Sequence, residues 1–215
     1  MADSLNKHFL LRKFHSLFGL LPVGVFLMFH LTINFSATGG AKSYNTMVAS
    51  LHKMPEFLLL SLEIFVIMLP LLLHAIYGLV IWWQSQNVIV GNAPKYGWAK
   101  NWLYVLQRIT GGLAFVFIAV HLATTRYITL TDPERLHNLA AFMAARLADP
   151  GMFWFYVIGL AASCFHLANG LRLIGITWGL TIGARSQRFA IAFSTLVFIV
   201  LMGIGMQGLL ALASF

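Results

Sequence analysis

Of the 215 residues, 60% are hydrophobic and only 9% are charged, which excludes an ordinary soluble domain because too little polar surface exists to cover a core. The net charge of +8 is small per segment and lies mainly toward one face, so no nucleic-acid partner is expected, and membrane lipid or a docked protein accounts for it better. The single cysteine, Cys164, excludes an internal disulfide, a cysteine-held iron–sulfur cluster built by this chain alone, and a C-x-x-C-H haem attachment.

Charge-poor runs at about 17–35, 57–83, 103–125, 152–175 and 189–215 are each long enough to cross a hydrocarbon core of roughly 30 Å as a helix. They predict an all-α membrane protein, a bundle of five transmembrane helices forming one domain over 1–215. The first run follows basic residues as a signal peptide would, yet it ends in polar Asn34 and Ser36 without a small-x-small cleavage site, and it reads as a mature helix. Pro22 and Pro70 lie inside the first two helices and bend them. Gly24, Gly78, Gly111, Gly112, Gly159 and Gly170 thin the helix surfaces, and Gly78 and Gly170 each follow a histidine by four residues, clearing that face for a flat ring. In the long connection 126–151, Thr131-Asp132-Pro133-Glu134 reads as a helix start. It predicts an amphipathic surface helix over about 133–148, with Leu136, Leu139, Ala140, Met143 and Leu147 on one stripe and Asp149-Pro150 as its stop.

Lys and Arg are retained on the cytoplasmic side of a membrane. Lys7, Arg12, Lys13, Lys95, Lys100, Arg108, Arg172, Arg185 and Arg188 fall on one side, against Lys42, Lys53, Arg126, Arg135 and Arg146 on the other. This predicts a cytoplasmic N-terminus in a bacterial inner membrane. Trp82, Trp83, Trp98, Trp102 and Trp178 all fall near the inner boundary, as an aromatic belt requires.

His30, His74, His121 and His166 lie one apiece in the first four helices, each toward the C-terminal end of its run. An imidazole in hydrocarbon is expensive without a partner, so one per helix points to function rather than packing. Helix direction sorts them: His30 and His121 near the outer face, His74 and His166 near the inner. At about 1.5 Å per residue each pair shares a level, and the two levels differ by roughly 10 Å or more. Zinc or copper sites gather three or four donors at one point, whereas two separated pairs suit the axial positions of two stacked haems, with electron transfer as the consequence. A proton-relay chain is the competing use of such histidines. Haem propionates need cationic or hydrogen-bonding partners; Arg108, Arg172, His15 and Ser16 are candidates for the inner haem, and Asn34 and Arg126 for the outer one. Snorkelling to headgroups is the alternative for these arginines.

The segments LRKFHSLFGLLPVGVFLMFHLTINF, LEIFVIMLPLLLHAIYG, NWLYVLQRITGGLAFVFIAVHLATTR, FHLANGL and TWGLTIGARSQR resemble the membrane anchor of succinate:quinone oxidoreductases. This is the succinate dehydrogenase and fumarate reductase family, in its single-chain, five-helix, dihaem cytochrome b form. The resemblance covers nearly the whole chain. It implies two haem b groups, the proximal one on His74 and His166 and the distal one on His30 and His121. It also implies an iron–sulfur subunit and a flavoprotein subunit on the cytoplasmic side, and a membrane quinone as substrate, with menaquinone favoured over ubiquinone. No dicarboxylate site is expected on this chain. Some dihaem relatives carry an acidic residue two positions before the fourth ligand; here Cys164 stands there.

Glu63 enters the second helix close in level to His30 and His121. It is a candidate for quinone proton transfer beside the distal haem; a structural bond to a neighbouring helix is the alternative. The expected function is therefore electron passage between a docked iron–sulfur subunit and quinone. The rivals are the bis-haem anchor of another respiratory dehydrogenase, such as a hydrogenase or formate dehydrogenase, and a proton-coupled transporter.

Overall fold

A computed structural model of the chain describes residues 2–84, 89–90, 93–94 and 98–215, with side chains for 8–84 and 98–215. Lys95 and the side chain of Lys7, both used in the charge comparison, lie outside the described residues. Among the described residues five helices are long and apolar enough to cross a membrane: spans I to V at His8–Gly39, Glu56–Gln84, Ala99–Thr131, Pro150–Thr177 and Ala184–Ala213. Each reaches beyond its charge-poor run at one or both ends. Hydropathy marks only the hydrocarbon portion, whereas the backbone hydrogen-bond ladder continues through polar residues into the interface. Between spans II and III the described backbone forms a two-residue ribbon, β1 (Ile89–Val90) paired antiparallel with β2 (Ala93–Pro94).

The two intrahelical prolines are accommodated in the same way. Span I runs as α1 (Ala2–Phe18), a π segment (Gly19–Gly24) containing Pro22, α2 (Val25–Phe35) and a 3₁₀ turn (Ser36–Gly39). Span II runs as α4 (Glu56–Ser61), a π segment (Leu62–Met68) and α5 (Leu69–Gln84), which carries Pro70. A proline lacks the N–H for the i→i−4 ladder and its ring presses on the carbonyl one turn back. Widening that turn to i→i−5 removes the clash, as the bonds Val25 N–H to Leu20 O and Leu69 N–H to Ile64 O record.

The segment after span I forms a further helix, α3 (Ala41–Leu51), which burial places with Tyr44 and Val48 inward. Span III is α6 (Ala99–Thr124) followed by α7 (Arg126–Thr131). Thr131 therefore ends a helix rather than starting one, and its Oγ1 donates to the carbonyls of Tyr127 and Ile128 at 3.1 Å. Residues Pro133–Asn138 form a 3₁₀ segment, and the α-helix proper, α8, covers Leu139–Leu147. Asn138 caps it, accepting from Ala141 N at 3.3 Å, while Asn45 of α3 donates to Asn138 and accepts from Ala140 N. Ala140, Met143 and Leu147 are buried against α3, α9 and α10, so α8 closes the end of the bundle rather than only lying on it.

Asp149-Pro150, which ends α8, also begins α9 (Pro150–Thr177, span IV): Asp149 Oδ1 accepts from Met152 N at 2.8 Å, with Pro150 in the first turn. That helix closes on Gly179, whose φ of +73° lets Leu180 N–H return to the Gly175 carbonyl at 2.8 Å. Span IV is the most enclosed of the five and packs against α6 and against α10 (Ala184–Ala213, span V). Span V approaches α2 at Gly208, where a Cβ would stand 2.8 Å from the Asn34 carbonyl. Only a glycine permits that spacing. Spans I and II enclose the remaining side of a central space.

Candidate functional site

That space is one apolar cavity of about 1100 Å³ reaching from one end of the bundle to the other, and all four intramembrane histidines line it. A single-ligand pocket usually occupies about 300–1,000 Å³, so the cavity exceeds the needs of one group. The end where span I begins is called the near end, and the end where it exits the far end.

The histidines meet in two pairs. His74 and His166 face each other at the near end, with ring centroids 5.9 Å apart and planes crossed at 84°. His30 and His121 do so at the far end, at 5.8 Å and 72°. Gly19 and Gly111 lie under the His74 and His166 rings; His30 is eleven residues beyond the first and His121 ten beyond the second. At about 1.5 Å per residue, the two levels stand roughly 15 Å apart.

Helices I and III hold the near pair through a repeated device. His74 Nδ1–H donates to the backbone carbonyl of His15 at 2.8 Å, and His166 Nδ1–H donates to that of Gln107 at 3.0 Å. Four residues after each acceptor comes a glycine, Gly19 or Gly111. A Cβ on Gly19 would clash with His74, standing 2.6 Å from Nδ1, and one on Gly111 would stand 2.8 Å from His166 Cε1. The missing side chain is what lets each ring reach a carbonyl already engaged in a helix. Gly78 and Gly170, which follow the histidines in sequence, instead make room for His15 and for Gln107.

At the far end His121 Nδ1 shares a hydrogen bond of 3.1 Å with Tyr156 OH, and its ring stacks on Phe117. His30 differs from the other three, because Asn34 Nδ2 donates to its Nε2 at 3.2 Å. Phe117 lies against Gly159, where no side chain could fit.

Residues 90–203 match the family described as succinate dehydrogenase/fumarate reductase transmembrane subunit. The chain is also 37% identical over 206 residues to the succinate dehydrogenase cytochrome b558 subunit of Bacillus subtilis (strain 168), covering 96% of this chain and 98% of that protein. The chain belongs to this family. It is a membrane subunit of a succinate dehydrogenase/fumarate reductase, an electron-transport enzyme whose dicarboxylate chemistry does not take place on this subunit.

Haem b is the group implied by a cytochrome b, and the residues fit it. A metal–imidazole bond is about 2 Å, so two axial rings on one iron stand roughly 6 Å apart centre to centre, close to both pair separations. Carbonyl acceptors at Nδ1 fix the tautomer of His74 and His166 and leave Nε2 with its lone pair for a metal. Among the described residues no three His, Cys, Asp or Glu side chains converge on one metal point, so a bare zinc or copper centre is not built here.

The cavity ends carry the polar groups. Arg12, His15, Ser16 and Arg108 line the near end. Arg12 and Arg108 are close enough to repel each other, an arrangement that an anion between them would relieve. Among the described residues buried His15 Nδ1 and, behind the cavity wall, Tyr77 OH have no hydrogen-bond partner, and their rings are 5.9 Å apart. Ser16 Oγ accepts from Trp178 Nε1 at 3.1 Å and donates to the Lys13 carbonyl. Arg108 donates to the Tyr104 carbonyl and lies over its ring. Arg172, by contrast, stands outside the cavity wall. It is buried and donates to Asn169, which donates to Gln107, so it supports the His166 carbonyl network from behind.

At the far end Arg126 is drawn to Glu63 rather than left free for another anion: Nη2 and Nε donate to Oε2 at 2.9 and 3.1 Å. Glu63 lies within the second π segment, and such segments recur at functional positions. His52 and Tyr44 also line this end. Burial, followed by the neighbouring Tyr156, pushes the Tyr44 phenol up to about 12, so it stays neutral in the working range. Cys164 is fully buried and away from the cavity wall.

Gly19, Gln107, Tyr156, Arg12 and His52 escaped the sequence reading as site residues. For two of them a signal existed: His15-x-x-x-Gly19 and Gln107-x-x-x-Gly111 are the same pattern at the same depth. Tyr156 lies on the ligand-bearing face of span IV, ten residues before His166, but nothing in its type marked it.

Proposed function

We propose that this chain is a dihaem cytochrome b anchor that passes electrons between an iron–sulfur subunit and membrane quinone. The observation that carries the reading is the presence of two crossed histidine pairs, at 5.9 and 5.8 Å, on one apolar cavity. His74 and His166 are the ligands of the near haem, and His30 and His121 those of the far one; Asn34 releases His30 Nε2 when that nitrogen is ligated. Each haem, when bound between its two histidines, would supply a one-electron redox centre.

The chain's own groups do the rest. Carbonyl acceptors hold the near imidazoles in one orientation, the apolar wall excludes water, and Arg12, Arg108 and His15 receive the near propionates. The near end faces the cytoplasm of a bacterium, with the N-terminus, and receives the iron–sulfur subunit and its flavoprotein partner. Quinone, menaquinone ahead of ubiquinone, reacts at the far end. There Glu63 exchanges the quinone proton at Oε1 while Arg126 holds Oε2 and stabilises the carboxylate after the proton leaves.

A succinate-reduced minus oxidised spectrum of the purified complex tests the electron path. Two b-type components that quinone reoxidises are expected, and a preparation without b-type absorption contradicts the reading. Glu63→Gln is expected to lower quinone-linked turnover about a hundredfold, the lower part of the usual range for a lost acid–base group, with both haems retained. Turnover equal to wild type would remove Glu63 from the mechanism.

A further inference from the structure

His52 follows α3 directly and precedes span II, outside the membrane-spanning segments. It is solvent-exposed at residue level, yet it also lines the far mouth of the cavity. Histidine is the side chain whose ordinary proton exchange lies nearest neutrality, and His52 is the one of the far-end cavity histidines that lies outside the membrane-spanning segments among the described residues. The charged groups whose influence reaches it are Glu63 from span II and Arg126 from span III; in sequence, Lys53 follows it directly and Glu56 begins span II four residues on. Burial first, then the Arg126 guanidinium, lower its proton affinity below the ordinary imidazole value of 6.5, and Glu63 acts in the opposite direction. An imidazole that is open to water and lines the same cavity mouth as an ion pair whose charges it feels is suited to carry protons, because it takes one at one ring nitrogen and releases one from the other.

We propose that His52 is the proton port of the far end, exchanging protons between the aqueous phase and Glu63. The proposal rests on the far-end quinone reading. On quinol oxidation the proton leaves the Glu63 carboxyl for an imidazole nitrogen, restoring the carboxylate, and the imidazolium then releases a proton to water. Quinone reduction runs the same transfers backwards. No electron moves in this step, so charge and atoms balance within the carboxyl, imidazole and water.

The test uses the assembled complex carrying His52→Ala, His52→Gln or Glu63→Gln, with quinone-linked turnover compared with electron delivery from succinate to a soluble dye. His52→Ala and His52→Gln are expected to lose at least tenfold in quinone-linked turnover while dye reduction and haem spectra are unchanged. Added imidazole is expected to restore much of the loss in His52→Ala. The wild-type pH profile should show a limb below pH 6.5 that both variants lack. Wild-type turnover in both His52 variants, or a loss that imidazole does not restore, overturns the proton-port assignment when Glu63→Gln is impaired. Wild-type turnover in Glu63→Gln instead removes Glu63 from the quinone mechanism, and the assignment falls with it.

Discussion

His166→Leu is expected to yield a complex that keeps one b-type haem in place of two, and His74→Leu is expected to lose the same spectral component. His30→Leu and His121→Leu should each remove the other component and leave this one. The pairing is what makes this pattern specific. Ligands shared by one iron must fail together, whereas four independent packing histidines would show no such partition. Removing an outer partner of a metal ligand commonly costs about 10–100-fold in metal affinity or activity, so loss of the ligand itself should lower quinone-linked turnover by about a hundredfold or more. Haem content per chain and reduced-minus-oxidised spectra of the four variants check it. Any variant that loses a component out of step with its partner contradicts the assignment.

The second large effect comes from residues that touch no cofactor. Gly19→Val and Gly111→Val would drive side-chain carbon into the His74 and His166 rings, at sites where even a Cβ is too close. Neither ring can retreat without giving up its carbonyl acceptor. Overpacking of this kind costs about 1–3 kcal/mol, or roughly 5- to 150-fold in an equilibrium constant. Both variants should lose the near haem and keep the far one. Gly78→Ala and Gly170→Ala are the matched comparison: their added methyls would meet His15 Cε1 at 3.3 Å and Gln107 Nε2 at 3.6 Å. They should retain both haems. Quantifying haem in all four variants checks the device, and equal haem loss in both sets would contradict it.

The contrast between these glycines shows where sequence reading stops. Span positions were legible because a run of some twenty uncharged residues has no other stable home, and the pairing followed because chain direction alternates between spans. His166 could therefore be set level with His74 before any coordinates. Its acceptor could not, because a backbone carbonyl has no letter of its own, and Gln107 reads as an ordinary polar residue. The glycines beside the histidines in sequence drew attention, yet the ones that matter to the rings lie on the facing helices, at Gly19 and Gly111.

Other features depended on partners that distance in sequence conceals. Arg126 read as a propionate candidate because its level was right, but Glu63 on span II competes for it and wins at 2.9 Å. Arg172 had the right depth and the wrong direction, facing Asn169 rather than the cavity. The helix α3 carries Tyr44, Val48 and Leu51 at helical spacing, a short stripe that mixed polarity obscured. Pro22 and Pro70 announced irregularity, while the π geometry that absorbs it depends on backbone bonds that no residue type dictates.

Low-temperature electron paramagnetic resonance of the oxidised complex tests the central claim most directly. Imidazole planes crossed at 84° and 72° predict two low-spin ferric centres, both of the strongly anisotropic kind that near-perpendicular axial rings produce. A high-spin signal from iron lacking an axial ligand, a single low-spin centre, or the rhombic signals of parallel rings would contradict two crossed histidine pairs holding two haems.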